Sequence, residues 1–546
     1  MANGSEKRSI NVKLKFALSI LTVFLLSACA SQIPNASTPP PTATSVPPTA
    51  DEAPTDVPTP IERDYWPTEG WRTSTPEEQG IDSNQLAEII DYLQEQNSFT
   101  IHSLLIIRNG YIVTDATFYP FAQDSLHDLA SAAKSFTSTL IGIAIDQGYI
   151  ESVEQPVLNF FPKRIVTNLD ANKEAMTLED LLTMRSGFHC TNQGSNSTDV
   201  QMWGSLDWVQ FTLDLPIATE PGARYNYCNQ NSHLLSAIIQ EATGMSALVF
   251  AQEHLFGPLG ISDVIWSSDP QGNTRGWGDL YLTPHDMAKL GFLFLNEGLW
   301  EGQQVVSPAW VNAATSGGSY GYQWWLKPSG YYFATGVGGQ EIWVLSDQDM
   351  VVVMTGASGG GGAGAWGDNL IRSQIISLIV SAEQLPSNPD GVAALKSKIQ
   401  DAAAPDQIQP EPVPPMPEIA HQVDGVPYVF DVNPAGLLSV TLSFPADDEA
   451  LLKVTTTGSN EFWVDTQFEW LIGLDNVERI APGRLDLLTT AKGLWESDNA
   501  FEAHLDEFVA NQDKFRLRLV FDDNQVIIEQ WVGGTLAGTL TGSVAE

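Results

Sequence analysis

Ser131 stands three residues ahead of Lys134 in the run Ser131-Ala132-Ala133-Lys134, at the head of an apolar stretch, and no other Ser-x-x-Lys occurs in the chain. One helical turn puts residues i and i+3 on the same face, so the lysine nitrogen reaches the serine hydroxyl. A serine hydroxyl is a poor nucleophile until a neighbouring base takes its proton. An unperturbed lysine has a pKa near ~10, so acting as that base at neutral pH takes a fall of about three units, roughly 4 kcal/mol. The tetrapeptide alone is a common spacing, and it gains meaning from its order with motifs further along the chain.

Two such runs lie downstream. Residues 221–229 read Pro-Gly-Ala-Arg-Tyr-Asn-Tyr-Cys-Asn, with a Tyr-x-Asn at Tyr227–Asn229, just before a helix predicted from Ser232 to Thr243. Much later, Ala334-Thr335-Gly336-Val337-Gly338-Gly339-Gln340 leads into a strand. Taken singly, these residues leave plain readings open. Tyr227 suits a core tyrosine whose hydroxyl satisfies the backbone, Asn229 suits a helix cap, and the glycines suit a tight strand entry. Tyr225 is the rival tyrosine, but it has no Asn two residues on.

As an ordered set, these runs resemble the serine β-lactamase-related family, which includes class C β-lactamases, D-aminopeptidases, family VIII esterases and nylon-oligomer hydrolases. Leu181-Leu182-Thr183-Met184-Arg185-Ser186-Gly187, Phe256-Gly257-Pro258-Leu259-Gly260 and the run from Gly278 to Met287 match the family's wording too, so the resemblance covers about residues 70–380. It implies an α+β fold of the β-lactamase/transpeptidase type, an antiparallel sheet flanked by helices with a helical subdomain. It implies Ser131 as the acylated nucleophile, Lys134 as its proton acceptor or charge partner, and Tyr227 as the group that passes a proton to the leaving group and activates water. Asn229 and the triplet Ala334-Thr335-Gly336 would position substrate, and the backbone N–H groups of Ser131 and Val337 would form the oxyanion hole. Lys134 and Tyr227 would titrate as a pair, and the sequence leaves open which holds the proton.

One departure bears on substrate. Relatives that bind β-lactams or peptidoglycan stems carry Lys or His where this chain has Ala334, and that cation meets the substrate carboxylate. The expectation is therefore a hydrolase of small esters or amides with neutral, largely apolar acyl groups. Trp324, Trp325 and Trp343 are close enough in sequence to wall the pocket or to fill the core. Two other readings stand beside it: a β-lactamase or D-Ala peptidase, and a non-catalytic binding or sensing protein on the same fold. No cofactor is implied. Cys190 and Cys228 lack metal-ligand spacing, which argues against a metal site, and both flank family motifs, which suggests a disulfide between them.

The first thirty residues read as a targeting segment. Lys7, Arg8, Lys13 and Lys15 precede the apolar run Phe16 to Leu26, which is short for a membrane span. Leu26-Ser27-Ala28-Cys29 then resembles the lipobox of bacterial lipoproteins, in which Cys29 is lipidated. Residues 30–69, rich in Pro and Thr, make an extended tether that would hold the rest outside the cytoplasmic membrane. The 546 residues carry a formal net charge of −40. Such a surface repels nucleic acid and anionic headgroups, so the expected membrane contact is the N-terminal lipid alone. No protein partner is implied.

The domain expected at 70–383 is followed by a Pro-rich linker at 384–417. Beyond it, short alternating runs from Val426 to Val532 predict an all-β accessory domain at 418–546, a small barrel with no chemistry of its own.

Overall fold

The computed structural model describes residues 63–545 except 97–99, 192–195, 358–362, 406–407, 434, 458–466, 484, 486, 508–512 and 533. Cys29, the Pro/Thr-rich stretch before residue 63 and the glycine run Gly359–Gly362 lie outside the described residues.

Seven strands build the first domain's sheet: β1 (Arg72–Thr73), β2 (Thr100–Arg108), β3 (Tyr111–Thr117), β4 (Trp325–Leu326), β5 (Tyr332–Gly336), β6 (Gln340–Leu345) and β7 (Met350–Ala357). Their order is β1-β3-β2-β7-β6-β5-β4, antiparallel throughout except for the β1–β3 pair. The β2–β3 hairpin turns at Asn109-Gly110, both at positive φ (52° and 84°), as a two-residue turn of type I′ requires.

Strand alternation sorts the side chains onto two faces. Leu105, Ile107, Ile342, Val344, Val351 and Val353 face one buried cluster, shared with the helices α2 (Ala133–Asp146), α4 (Asn229–Thr243) and α5 (Pro284–Leu295). Leu104, Ile106, Phe333, Trp343, Val352 and Met354 face a second, shared with α1 (Ser83–Gln94) and α6 (Pro389–Ala402). Local sequence sets the helix starts. The Asp82 side chain caps α1 by accepting from the Asn84 N–H, and Thr283 caps α5 with Pro284 in the first turn. Between α2 and α4 in the chain lies α3 (Thr198–Trp203), one short helix of the helical subdomain, capped by Ser197.

The edges of this domain differ from the reading by composition. Residues 63–69, read there as tether, pack against the β2–β3 and β6–β7 turns and α5. Arg63 bonds to Asp349, the Tyr65 hydroxyl donates to the Gly110 carbonyl at 2.7 Å, and Trp66 lies against Phe292 and Trp300. Residues 389–402, read as linker, form α6, whose Leu395 and Ala402 are buried with α1 and whose Lys398 pairs with Asp91. Prolines flanking a short helix look like linker, and only tertiary packing gives that helix its partner.

Among the described residues the second domain has ten strands running from Val426–Phe430 to Thr535–Val544. A pairing between Gly473 and Lys492 closes them into a barrel. Val440, Leu452, Trp470, Phe501 and Leu519 fill its inside. Among the described residues no single helix is long and apolar enough to cross a membrane, and no group of three His, Cys, Asp or Glu side chains is placed to hold a metal ion.

Candidate active site

Ser131 sits in a short 3-10 turn that runs straight into α2. Ala130, just before it, has φ 46°, a left-handed conformation that a non-glycine residue adopts at a cost. The Asp128 carboxyl holds that turn by accepting from the Ala130 N–H at 2.8 Å. One turn on, Lys134 is 1% exposed. Its Nζ lies 2.9 Å from Ser131 Oγ and donates to the Trp277 carbonyl at 3.0 Å.

Tyr227 comes from the segment ahead of α4. The Lys134 nitrogen stands 5.0 Å from its ring centroid, and its hydroxyl is hydrogen-bonded to Ser131. The segment is pinned at several points to the turn after Leu182. The Asn226 N–H donates to the Met184 carbonyl, the Gly222 N–H donates to the Arg185 carbonyl, and Cys190 is disulfide-bonded to Cys228. Arg185 is exposed and its guanidinium donates to the Gly222 carbonyl, so it serves this loop pairing.

Asn229 opens α4 as its first helical residue. Cys228 occupies the cap position, with no side-chain cap bond, so Asn229 is not the cap that its position before a helix suggested. Its amide instead donates to Asp199 Oδ2 at 3.0 Å.

The triplet 334–336 ends β5. A Cβ on Gly336 would stand 2.2 Å from the Leu129 carbonyl oxygen and 3.1 Å from the Ser131 nitrogen. Glycine is thus what lets this strand end reach the nucleophile's backbone, with Val337 next in line. β4 pairs only with Tyr332 and Phe333, so the outer edge of Ala334–Gly336 has no strand partner among the described residues. Ala334 is 1% exposed and packs in the apolar cluster on the α2 side, in the strand's interior layer. Thr335 lies on the opposite face, paired across strands with Glu341, whose carboxyl is 1% exposed and pushed up to about 8 by burial.

Electrostatics separate the two proton-transfer candidates. Burial lowers Lys134 to about 7, against the opposing pull of the Asp199 and Asp279 carboxylates. Burial raises the Tyr227 phenol well above its ordinary range, offset by the bond to Ser131. Lys134 is therefore the group that changes charge near neutrality, while Tyr227 keeps its proton.

Of the three tryptophans near β5, Trp324 and Trp343 are fully buried. Trp325 is half-buried and stacks 6.3 Å from Tyr227, with the Tyr320 ring edge-on to both and to Tyr225. Asp199, Tyr320 and Glu341 were not singled out from sequence. Asp199 belongs to a short helix with no motif, and only the fold carries it to the Tyr-x-Asn segment.

The Beta-lactamase family model matches residues 86–371, just over half of the chain. The 6-aminohexanoate-dimer hydrolase of Paenarthrobacter ureafaciens is 24% identical over 310 residues, covering 51% of this chain and 79% of that protein. A putative penicillin-binding protein, PbpX, of Bacillus subtilis (strain 168) is 24% identical over 287 residues, covering 46% of this chain and 67% of that one. Among solved structures, a putative 6-aminohexanoate-dimer hydrolase from Bacillus anthracis aligns with a TM-score of 0.49 at 18% identity, covering 58% of this chain and 89% of its own. With the family matched over strands β2 to β7 and the Ser-x-x-Lys turn, this chain belongs to the serine β-lactamase-related family and is a serine hydrolase with a β-lactamase/transpeptidase-like fold followed by a closed β-barrel.

Proposed function

We propose that the protein is an extracytoplasmic, lipid-anchored hydrolase that cleaves small esters or amides through an acyl-enzyme on Ser131. The observation that carries the chemistry is Lys134 Nζ 2.9 Å from Ser131 Oγ, on a lysine that burial brings to about 7. As a neutral amine at and above that pH, it takes the serine proton while Oγ bonds to the substrate carbonyl carbon. The charge that develops on the carbonyl oxygen meets the backbone N–H groups of Ser131 and Val337, which the close approach at Gly336 supports. Tyr227, a protonated phenol bonded to Ser131, passes its proton to the departing alkoxide or amine and regains one from the Lys134 ammonium. Water then enters along the same route in reverse and frees the acid. Asn229 and the open edge of Ala334–Gly336 position the acyl group.

Position 334 carries an alanine and so offers no cation to an acyl carboxylate, which favours neutral acyl groups over carboxylate-bearing ones. The anchor rests on the sequence from Lys7 to Cys29. One experiment tests both halves of the proposal: a membrane-impermeant fluorophosphonate applied to intact cells. Wild type is expected to be labelled and to sediment with membranes, Ser131→Ala to stay unlabelled, and Cys29→Ala to be labelled but released. Equal labelling of Ser131→Ala overturns the nucleophile, and labelling only after lysis overturns the location.

A further inference from the structure

Asp199 is 6% exposed. Its two carboxylate oxygens are each taken by one side chain of the first turn of α4: Oδ2 by the Asn229 amide at 3.0 Å and Oδ1 by the Gln230 amide at 2.9 Å. The helix that carries it, α3, begins eight residues after Cys190, which is disulfide-bonded to Cys228 immediately before Asn229. The carboxylate is therefore tied to the catalytic loop through two hydrogen bonds and, nearby, a covalent bridge. With Nδ2 committed to Asp199, the Asn229 Oδ1 is left as a buried acceptor with no hydrogen-bond partner, which fixes the amide in one of its two orientations.

We propose that Asp199 is a positioning residue that fixes the Asn229 amide and sets the charge balance of the Lys134–Tyr227 pair. The proposal rests on the serine-hydrolase reading of Ser131 and deepens it. Asp199 on α3 and Asp279, on the segment that also supplies the Trp277 carbonyl, favour the Lys134 ammonium, and Ser131 and Tyr227 stand beside it. Asp279 is already paired with Arg275 at 2.8 Å and faces the buried Asp128 carboxyl, which desolvation raises to about 8. Asp199 has no cationic ion-pair partner among the described residues. Desolvation raises the Asp199 carboxyl above its ordinary range, against the Gln230 and Asn229 bonds and the Lys134 charge that favour its anion; that anion favours the Lys134 ammonium and opposes a Tyr227 phenolate. It holds the resting phenol in place and eases the step in which Lys134 carries the serine proton.

Removing the Asp199 charge makes the Lys134 ammonium less favourable, so the free amine persists to lower pH. The measurement is the second-order rate of fluorophosphonate labelling of Ser131 against pH, on the full chain. Asp199→Asn is expected to move the acid limb lower by about one pH unit. Asp199→Glu keeps the charge and displaces it, so the limb is expected to stay while the plateau drops about tenfold. An unmoved limb in folded Asp199→Asn, or an equal shift in both variants, overturns the proposal, because a merely structural role lowers the plateau and leaves the limb alone. Should Asp199→Asn fail to fold, Gln230→Met strips one hydrogen bond from the carboxylate and leaves its neutral form favoured. It is expected to shift the limb in the same direction, and no shift there overturns the proposal as well. Wild type that is never labelled at any pH sinks the hydrolase reading of Ser131 instead, a failure distinguishable from the rest.

Discussion

Lys134 and Tyr227 lie side by side, and burial drives them in opposite senses because it disfavours the charged form of each: the ammonium of one, the phenolate of the other. That fixes the direction of the pH dependence. Below about 7 Lys134 is protonated and cannot accept the serine proton, so acylation is expected to fall about tenfold per pH unit on the acid side and to level off above it. Stopped-flow acylation by an activated neutral ester across pH 5–9 checks this, and a limb that falls with rising pH instead would mean that a different group is the base. The same shift bears on stability. Between about 7 and the ordinary lysine range the unfolded chain binds a proton that the native state does not, so the fold gains stability as pH rises through that window.

Among the elements, the segment from Pro221 to Asn229 has the least support of its own. It forms no strand or helix until Asn229, and it is held by the Met184–Cys190 turn through backbone bonds and the Cys190–Cys228 bridge. A cross-link of this kind restricts the unfolded chain and, in the native state, the loop that carries Tyr227. Replacing both cysteines by serine is expected to cost about 3 kcal/mol of stability, read as a lower melting temperature, and to reduce acylation more steeply than binding of a non-reacting analogue. Unchanged acylation in the folded double variant would mean that the backbone bonds position Tyr227 without the bridge.

At the scale of the whole molecule, the two domains have separate interiors. The two clusters around the seven-stranded sheet draw on residues no later than Ala402, and the barrel's interior and the residues packed against it begin at Val413. The Pro-rich stretch between them bonds to the barrel, with the Glu411 N–H donating to the Asp475 carbonyl. A chain truncated after Ala404 is therefore expected to melt cooperatively and to be labelled at Ser131 at the full-length rate by a small probe. Its rates on bulky esters, compared with those of the intact protein, then show whether the barrel restricts access. Loss of folding in the truncated chain would show that the barrel supports the hydrolase domain.

The resemblance carried by the ordered motifs implied the fold class and pointed to the Tyr227 segment, and the reach of Lys134 to Ser131 followed from residues close in sequence. Spacing along one helical turn decides whether Lys134 can touch Ser131, and a two-residue turn decides its own dihedral angles. Other features depended on packing across long stretches of chain. Residues 389–402 look like linker until α1 supplies their apolar partner. Of three neighbouring tryptophans, only Trp325 is left half-buried beside Tyr227. Ala334 sits in the interior layer because strand alternation and the α2 contact put it there. Desolvation moves Lys134 and Tyr227 in opposite senses, and Asp199 entered the site only when the fold brought α3 against α4. Burial and long-range electrostatics are properties of the folded volume, and the linear chain does not carry them.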